Sequence, residues 1–267
     1  MLSVLVTTLN EAENLSACLE GVRGADEIVV VDSGSTDATA TIARRYGATV
    51  VEHPYESAAR QKNWALPRLQ HPWVLILDAD ERVPPELATE IAAVLRNDGP
   101  ADGYFLRRRS FFLGREIRHC GWGQDRVLRL FRRDRGRYDD RWVHEELQLE
   151  GRAAELATPL LHVSYRTLDD ALDKIRRYTV RGAADLRSRG RRPSWLAPIV
   201  RPPARFVRMF FLQAGFLDGA HGLILCLLTA YSVWLKYAQL HEPARAELAT
   251  DAAATPGNAA AAFRSGT

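Results

Sequence analysis

Residues 73–83 read WVLILDADERV. The apolar run Trp73–Leu77 predicts a buried strand, and three acids follow directly at its end. Two similar runs lie upstream. Ser3–Leu9 is short and β-branched, and Glu27–Asp32 reads EIVVVD. Another strand, third in chain order, is expected at Ala48–Glu52, which makes Trp73–Leu77 the fourth. Helical signals fill the gaps. Asn10 with Glu13 three positions on reads as a capping box. Ser35, Thr36 and Asp37 open a helix that ends near Gly47, Ser57–Leu66 reads as another, and Pro84–Arg96 begins with prolines. Strand and helix therefore alternate over the first hundred residues. That order predicts an α/β fold: a mostly parallel, Rossmann-like sheet flanked by helices on both faces.

Downstream the pattern changes. From Gly103 to Tyr165, short alternating pieces such as RVLRLFRRD and PLLHVSY predict antiparallel or mixed strands. Thr167–Arg189 has helical spacing, and helices are expected over 198–213 and 216–240. The Ala-rich stretch after Pro243 is expected to be disordered. The organisation expected is a first domain over 1–165, in halves 1–100 and 101–165, a helical region over 166–242, and a tail over 243–267.

The 267 residues are 46% hydrophobic and 26% charged, a globular composition with a net charge of only +3. The cations, mostly Arg, cluster in the second half, at 107–109, 126–137, 176–192 and 201–208, which fits an anionic partner. Cys18, Cys120 and Cys226 are far apart, without metal or disulfide spacing, so a reducing, cytoplasmic setting is expected. The N-terminal apolar stretch is short, lacks a basic flank and runs into Glu11, so a signal peptide is not expected.

In open parallel sheets, ligands bind beyond the carboxyl ends of the strands. The first strand delivers Thr8, Asn10 and Glu11 there; the second delivers Asp32 and Ser33-Gly34-Ser35; the fourth delivers Asp78-Ala79-Asp80-Glu81. Acids converging on one rim call for a cation or hydrogen-bond donors. Asp78 and Asp80, two apart on extended backbone, would face one ligand, and an oxygen-only pair suits Mg²⁺ or Mn²⁺ beside a diphosphate. The plainer readings are a solvated turn for the Asp-x-Asp pair, an Asx turn or cap for Asp32, and helix-dipole charges for Glu11 and Glu13.

The four segments SVLVTTLNEAENL, EIVVVDSGSTDAT, QKNWAL and WVLILDADERV together resemble glycosyltransferase family 2, which has the GT-A fold. The later GWGQDRVLRLFRR, VHEEL and GFLDGAHGLILCLLTAYSVWLKYAQL resemble its lipopolysaccharide core β-1,4-glucosyltransferase branch. The resemblance implies an inverting transfer of a hexose, with UDP-glucose as donor, to a lipid-linked saccharide of the inner core. It places Thr8, Asn10, Glu11, Asp32 and Ser33 at the nucleoside, Lys62 and Asn63 near the nucleotide, Asp78 near ribose and metal, and Asp80 as the metal ligand under the diphosphate. Leu9 stands where the family often has an aromatic residue. Transfer also needs a base for the acceptor hydroxyl; Glu145 of VHEEL is the first choice, Asp125 the second and Glu146 the third, with His144 as a positioning residue. Arg126, Arg129 and Arg132 would grip phosphate, or else pair with Asp134, Asp139 and Asp140.

In the C-terminal helices, Arg201, Arg205 and Arg208 share a face opposite Phe206, Val207 and Phe210, a membrane-surface pattern. Residues 219–235 contain no Asp, Glu, Lys or Arg. An interfacial hairpin, a core helix and a span are all compatible with that stretch. The expected location is the inner face of the cytoplasmic membrane. Other classes fit less well. A nucleotidyltransferase usually carries a Gly-rich basic loop after the first strand, where this chain has TTLNEAEN; an oxidoreductase needs the absent GxGxxG. A non-catalytic adaptor would have no use for the carboxylates, and no nucleic-acid-binding motif accompanies the arginines.

Overall fold

A computed structural model describes residues 1–97, 99–139 and 146–242. The first part alternates as expected: β1 (Leu2–Thr8), α1 (Ala12–Glu20), β2 (Glu27–Asp32), α2 (Thr39–Arg45), β3 (Thr49–Glu52), α3 (Ala58–Ala65), β4 (Trp73–Asp78), β5 (Glu81–Arg82) and α4 (Pro85–Arg96). Then come seven strands, β6 (Gly103–Phe112), β7 (Arg115–Ile117), β8 (Arg126–Arg132), β9 (Gly136–Tyr138), β10 (Leu147–Leu149), β11 (Ala153–Glu155) and β12 (Leu160–Tyr165). Three helices follow, α5 (Leu168–Ser188), α6 (Ala197–Val207) and α7 (Gly219–Ala238).

The main sheet runs β3-β2-β1-β4-β8-β6-β12-β5. Its first four strands are parallel, β8 is antiparallel to β4 and β6, and β12 runs parallel to β6 and antiparallel to β5. β5 lies two residues beyond β4 in the chain yet pairs at the opposite end of that order. The sheet therefore curls back on itself, and the turn Ala79–Asp80 sits where the curl closes.

β1 is buried on both faces, as a central parallel strand must be. Val4 and Val6 pack with Leu15, Leu19, Leu75 and Leu87 on one side; Leu5 packs with Ala59, Val74, Ile76 and Phe131 on the other. A third cluster, built on Phe112, Ile117, Ala171, Met209 and Leu225, docks the C-terminal helices against β6 and β7. Gly21, just after α1, allows the close approach of the segment following β5: a Cβ there would lie 2.4 Å from the Val83 carbonyl oxygen.

Two helix starts differ from expectation. α1 is not capped by Asn10 or closed by a box with Glu13; its N-cap is Glu11, without a side-chain cap bond. Asn10 instead stitches two loops: its amide oxygen accepts from Thr36 N–H (2.8 Å), its N–H donates to Ser35 Oγ (2.8 Å), and its φ is +55°. Asp37 likewise accepts from Ala12 and Thr39 N–H, and α2 opens only at Thr39. The pairing between loops outcompeted the local caps. α5 does carry a capping box, between Thr167 and Asp170.

α6 runs into a wide helical turn, Arg208–Leu212, and Ala214 (φ +54°) breaks the helix before α7. Gly215–His241 is long and apolar enough to cross a bilayer, with mean hydropathy 1.5. Only 22% of that window is buried, so it is not a core helix of this chain. Trp195, Ile199, Phe211, Leu212, Leu227 and Trp234 are all at least 45% exposed.

Candidate active site

Parallel register sets the rim. Thr8 aligns with Asp32 across β1–β2, and Thr7 with Asp78 across β1–β4, so three carboxyl ends finish level. The β1 end is polar, and the Thr8 hydroxyl is buried with no hydrogen-bond partner among the described residues. An orphaned buried hydroxyl at a strand end is an invitation to a ligand. Asp32 is buried and forms an Asx turn, accepting from the N–H and hydroxyl of Ser35. The Ser33 hydroxyl accepts from Gln61 (2.7 Å).

Glu11 accepts from the Asn14 amide (2.8 Å). Burial pushes its carboxyl above the usual range; the Asn14 bond opposes this and nearby Asp80 adds to it.

The acidic turn departs from the expected geometry. β4 ends at Asp78 and the chain turns through Ala79 and Asp80, so the alternation of an extended chain does not carry across. The two carboxylates meet different partners. Asp78 lies between Arg129, which donates to Oδ2, and Lys62, whose Nζ is 3.6 Å from Oδ1. Burial alone would raise the Asp78 carboxyl; Arg129 and then Lys62 outweigh it and hold it far below the usual range. Both of its oxygens thus face protein cations.

Asp80 is more sheltered, its side chain 13% exposed. Oδ2 accepts from Lys174 Nζ at 2.9 Å, and Oδ1 lies 3.7 Å from His162 Nε2. Burial pushes this carboxyl up, while neighbouring His162 and Lys174 bring it below the usual value. The closing of the curl explains the meeting. His162 is in register with Glu81 on β5, and Val163 N–H donates to the Asp80 carbonyl (2.9 Å). His162 Nδ1 lies between the hydroxyls of Ser110 (3.2 Å) and Ser164 (3.0 Å). Hydroxyls on Nδ1 orient the ring and leave Nε2 for Asp80 or a cation.

Beneath the turn lies a buried ion network absent from the sequence reading. Glu81 is fully buried; it accepts from Asp78 N–H (2.9 Å), Arg129 (2.7 Å) and Arg108 (3.4 Å). Arg129, expected to grip phosphate or pair with Asp134, Asp139 or Asp140, is instead the counter-ion of Asp78 and Glu81. Arg126 pairs with Glu155 and stacks on Phe105, and Arg132 lies over Trp73. Lys62 is buried, 5.0 Å from the Tyr138 ring centroid. Asn63 clamps β9: its amide donates to the Tyr138 carbonyl and accepts from the Tyr138 N–H, both at 2.9 Å.

Asp125 is bound by Arg108 through Nε (2.8 Å) and a second guanidinium nitrogen. Glu145, His144 and Asp140 lie outside the described residues, as does the tail after 242. Glu146 begins them again, its N–H donating to Asp139. Among the described residues no three His, Cys, Asp or Glu side chains converge as a ready metal cage. The Asp80 carboxylate and His162 Nε2 could together offer two donors to a divalent ion, leaving room for phosphate and water, as Mg²⁺ and Mn²⁺ accept. Asp78, the other expected ligand, is held between Lys62 and Arg129.

Residues 3–147 match the family model described as Glycosyl transferase family 2. Among curated proteins, the lipopolysaccharide core biosynthesis glycosyltransferase LpsC of Rhizobium meliloti (strain 1021) is 31% identical, over 91% of this chain and 95% of its own. A glycosyltransferase of Rickettsia bellii (strain RML369-C) is 25% identical, over 90% of this chain and 86% of its own. Among solved structures, residues 1–349 of TarS from S. aureus align with 90% of this chain and 89% of that one, at 14% identity and a TM-score of 0.46. With the family model spanning more than half its length and LpsC matching nearly end to end, the chain belongs to glycosyltransferase family 2.

Proposed function

We propose that the protein transfers a hexose, glucose in the first instance, from a UDP-sugar to a lipid-linked saccharide of the lipopolysaccharide inner core, with inversion, at the cytoplasmic face of the membrane. The observation that carries this reading is the acidic turn at the level carboxyl ends of the parallel strands, with Asp80 facing His162 and the orphaned Thr8 hydroxyl on the same rim. Likeness to LpsC supports the acceptor class.

Each residue then has a task. Thr8, Asn10, Glu11, Asp32 and Ser33 border the nucleoside end. Asp32 offers a carboxylate to a base N–H, keeping Ser35 as its second partner. Asp80 and His162 would hold Mg²⁺ or Mn²⁺, which when bound supplies positive charge to the departing diphosphate. Lys62 and Arg129 hold Asp78 ionised beside it. The base we assign is Glu145. Asp125, the alternative, has one of its oxygens gripped twice by Arg108, which competes with an acceptor hydroxyl there. The exposed apolar surface of α6, α7 and the turn between them would lie in the bilayer interface, with Arg201, Arg205 and Arg208 at the headgroups. Donor then arrives from the aqueous side and acceptor from the lipid.

The test is transfer of labelled glucose from UDP-glucose to a lipid-linked inner-core acceptor, with UDP-galactose and UDP-N-acetylglucosamine run beside it. Product with inverted anomeric configuration from UDP-glucose is expected. Absence of transfer from every nucleotide sugar would overturn the proposal; transfer of another sugar would correct only the donor.

A further inference from the structure

One cation at the acidic turn comes from outside the segment matched by the family model. Lys174 lies on α5, seven residues beyond its Thr167 cap. The capping box starts this helix soon after β12, and Lys174 in its second turn reaches the acidic turn. Lys174 Nζ donates to Asp80 Oδ2 (2.9 Å) and to the Ser164 carbonyl (3.0 Å), and lies 5.5 Å from the Tyr165 ring centroid. Its side chain is 20% exposed.

Ordering and desolvating a lysine is costly, and burial alone would favour the neutral amine. Asp80 more than offsets this and keeps the group charged. An ammonium has three donors. Two are engaged here, and the side chain lines a cavity of about 270 Å³ in which Arg166 and Arg177 are the other cations, set against five acids with Glu11 and Asp173 among them. That cavity starts just beyond the polar end of β1, at Asn10 and Glu11, and extends to Lys174, whose Nζ in turn holds Asp80. A compact point charge at such a place is suited to phosphate oxygens.

We propose that Lys174 binds the diphosphate of the donor directly, a positive charge built into the site beside whatever divalent ion Asp80 and His162 hold. This rests on the reading of the rim as a nucleotide-sugar site. In the free protein the ammonium neutralises Asp80; when nucleotide enters, it shares or transfers its hydrogen bonds to phosphate oxygen. Binding of a nucleoside diphosphate is then only partly dependent on metal.

The experiment is calorimetric titration of UDP, GDP and ADP into the full chain with saturating MnCl₂ and again in excess EDTA. At least one nucleotide binds with Mn²⁺, and the wild type retains measurable, weaker binding of it in EDTA. Lys174→Gln weakens that metal-free binding by about tenfold or more, as loss of a charge-assisted contact requires, while Lys174→Arg largely preserves it. A thermal melt of each variant accompanies the titration. Should Lys174→Gln not fold, Asp80→Asn decides: with the lysine released from its carboxylate, metal-free binding is equal or tighter, and a weakened value refutes the inference.

Equal or tighter metal-free binding by Lys174→Gln would make the lysine a mere competitor for Asp80 and overturn the inference alone. So would a wild type that binds nothing in EDTA. If no nucleotide binds even with Mn²⁺, the underlying site assignment fails and this inference with it.

Discussion

Replacing Arg129 by methionine removes the guanidinium that hydrogen-bonds both Asp78 and Glu81. The Arg129 side chain is 6% exposed and that of Glu81 is fully buried, whereas that of Asp78 is 38% exposed. Breaking a buried ion pair costs about 3–5 kcal/mol, because the partner is left as an uncompensated charge. Two cations remain, Lys62 at 3.6 Å from Asp78 and Arg108 at 3.4 Å from Glu81, and Asp78 has some access to water. The expected loss therefore lies at the lower end, about 3 kcal/mol at pH 7, equivalent to a fall in Tm of about 6–12 °C for a domain of this size. Urea unfolding followed by tryptophan fluorescence measures it.

The pH dependence carries the sign. In the wild type, Arg129 and Lys62 hold Asp78 well below its unfolded value against the pull of burial. Its contribution is present above the unfolded pKa and is lost as pH falls. In Arg129→Met the largest of the charges that lower Asp78 is gone, so less of that stabilisation is present at neutral pH. The gap between wild type and variant must then narrow as pH falls below the unfolded pKa of Asp78, where the wild type loses its contribution. Adding Glu81→Gln to Arg129→Met should recover part of the loss, since the deepest unpaired charge is gone. A loss under about 1 kcal/mol, or one that neither narrows with acid nor responds to Glu81→Gln, would mean that the network is solvated and the reasoning wrong.

Other outcomes are expected. Asp80→Asn and His162→Ala should each weaken Mn²⁺-dependent nucleotide binding by about tenfold or more; His162→Ala with unchanged Mn²⁺ affinity removes the histidine from the donor set. Glu145→Gln should keep donor binding and lose transfer, whereas full transfer by Glu145→Gln together with its loss in Asp125→Asn would exchange the two assignments. The double substitution Phe211→Glu and Leu212→Glu, at residues 57% and 79% exposed, should leave the melt unchanged and reduce flotation with anionic vesicles; equal flotation would remove this surface from the membrane. Glu90 accepts from the Ala157 and Thr158 N–H groups, which outweigh slight burial and lower its pKa. Glu90→Gln should lower Tm at neutral pH, and the difference should shrink as pH falls past the unfolded pKa and vanish only below the lower folded one, where both side chains are neutral.

The legible part of this chain was local. Strands such as Trp73–Leu77 and Glu27–Asp32 announce themselves because both faces are buried, and each sheet position needs only its own run of apolar residues. The rim followed from order alone: once β1, β2 and β4 are parallel neighbours, Thr8, Asp32 and Asp78 must finish side by side. What stayed hidden depends on pairs distant in sequence. His162 reaches Asp80 only because β12 returns to pair with the two-residue β5, and nothing in a strand reading PLLHVSY states its register. Lys174 sits 94 residues from Asp80 on a helix whose spacing reports only which face is apolar. Arg129 was visible as a cation, and its position on the inward face of β8 decided that it would answer Asp78 and Glu81 rather than a ligand. Buried charge cannot be placed until its counter-charge is placed. In this fold each of those choices waits on the same event, the closing of the sheet over residues 78–81.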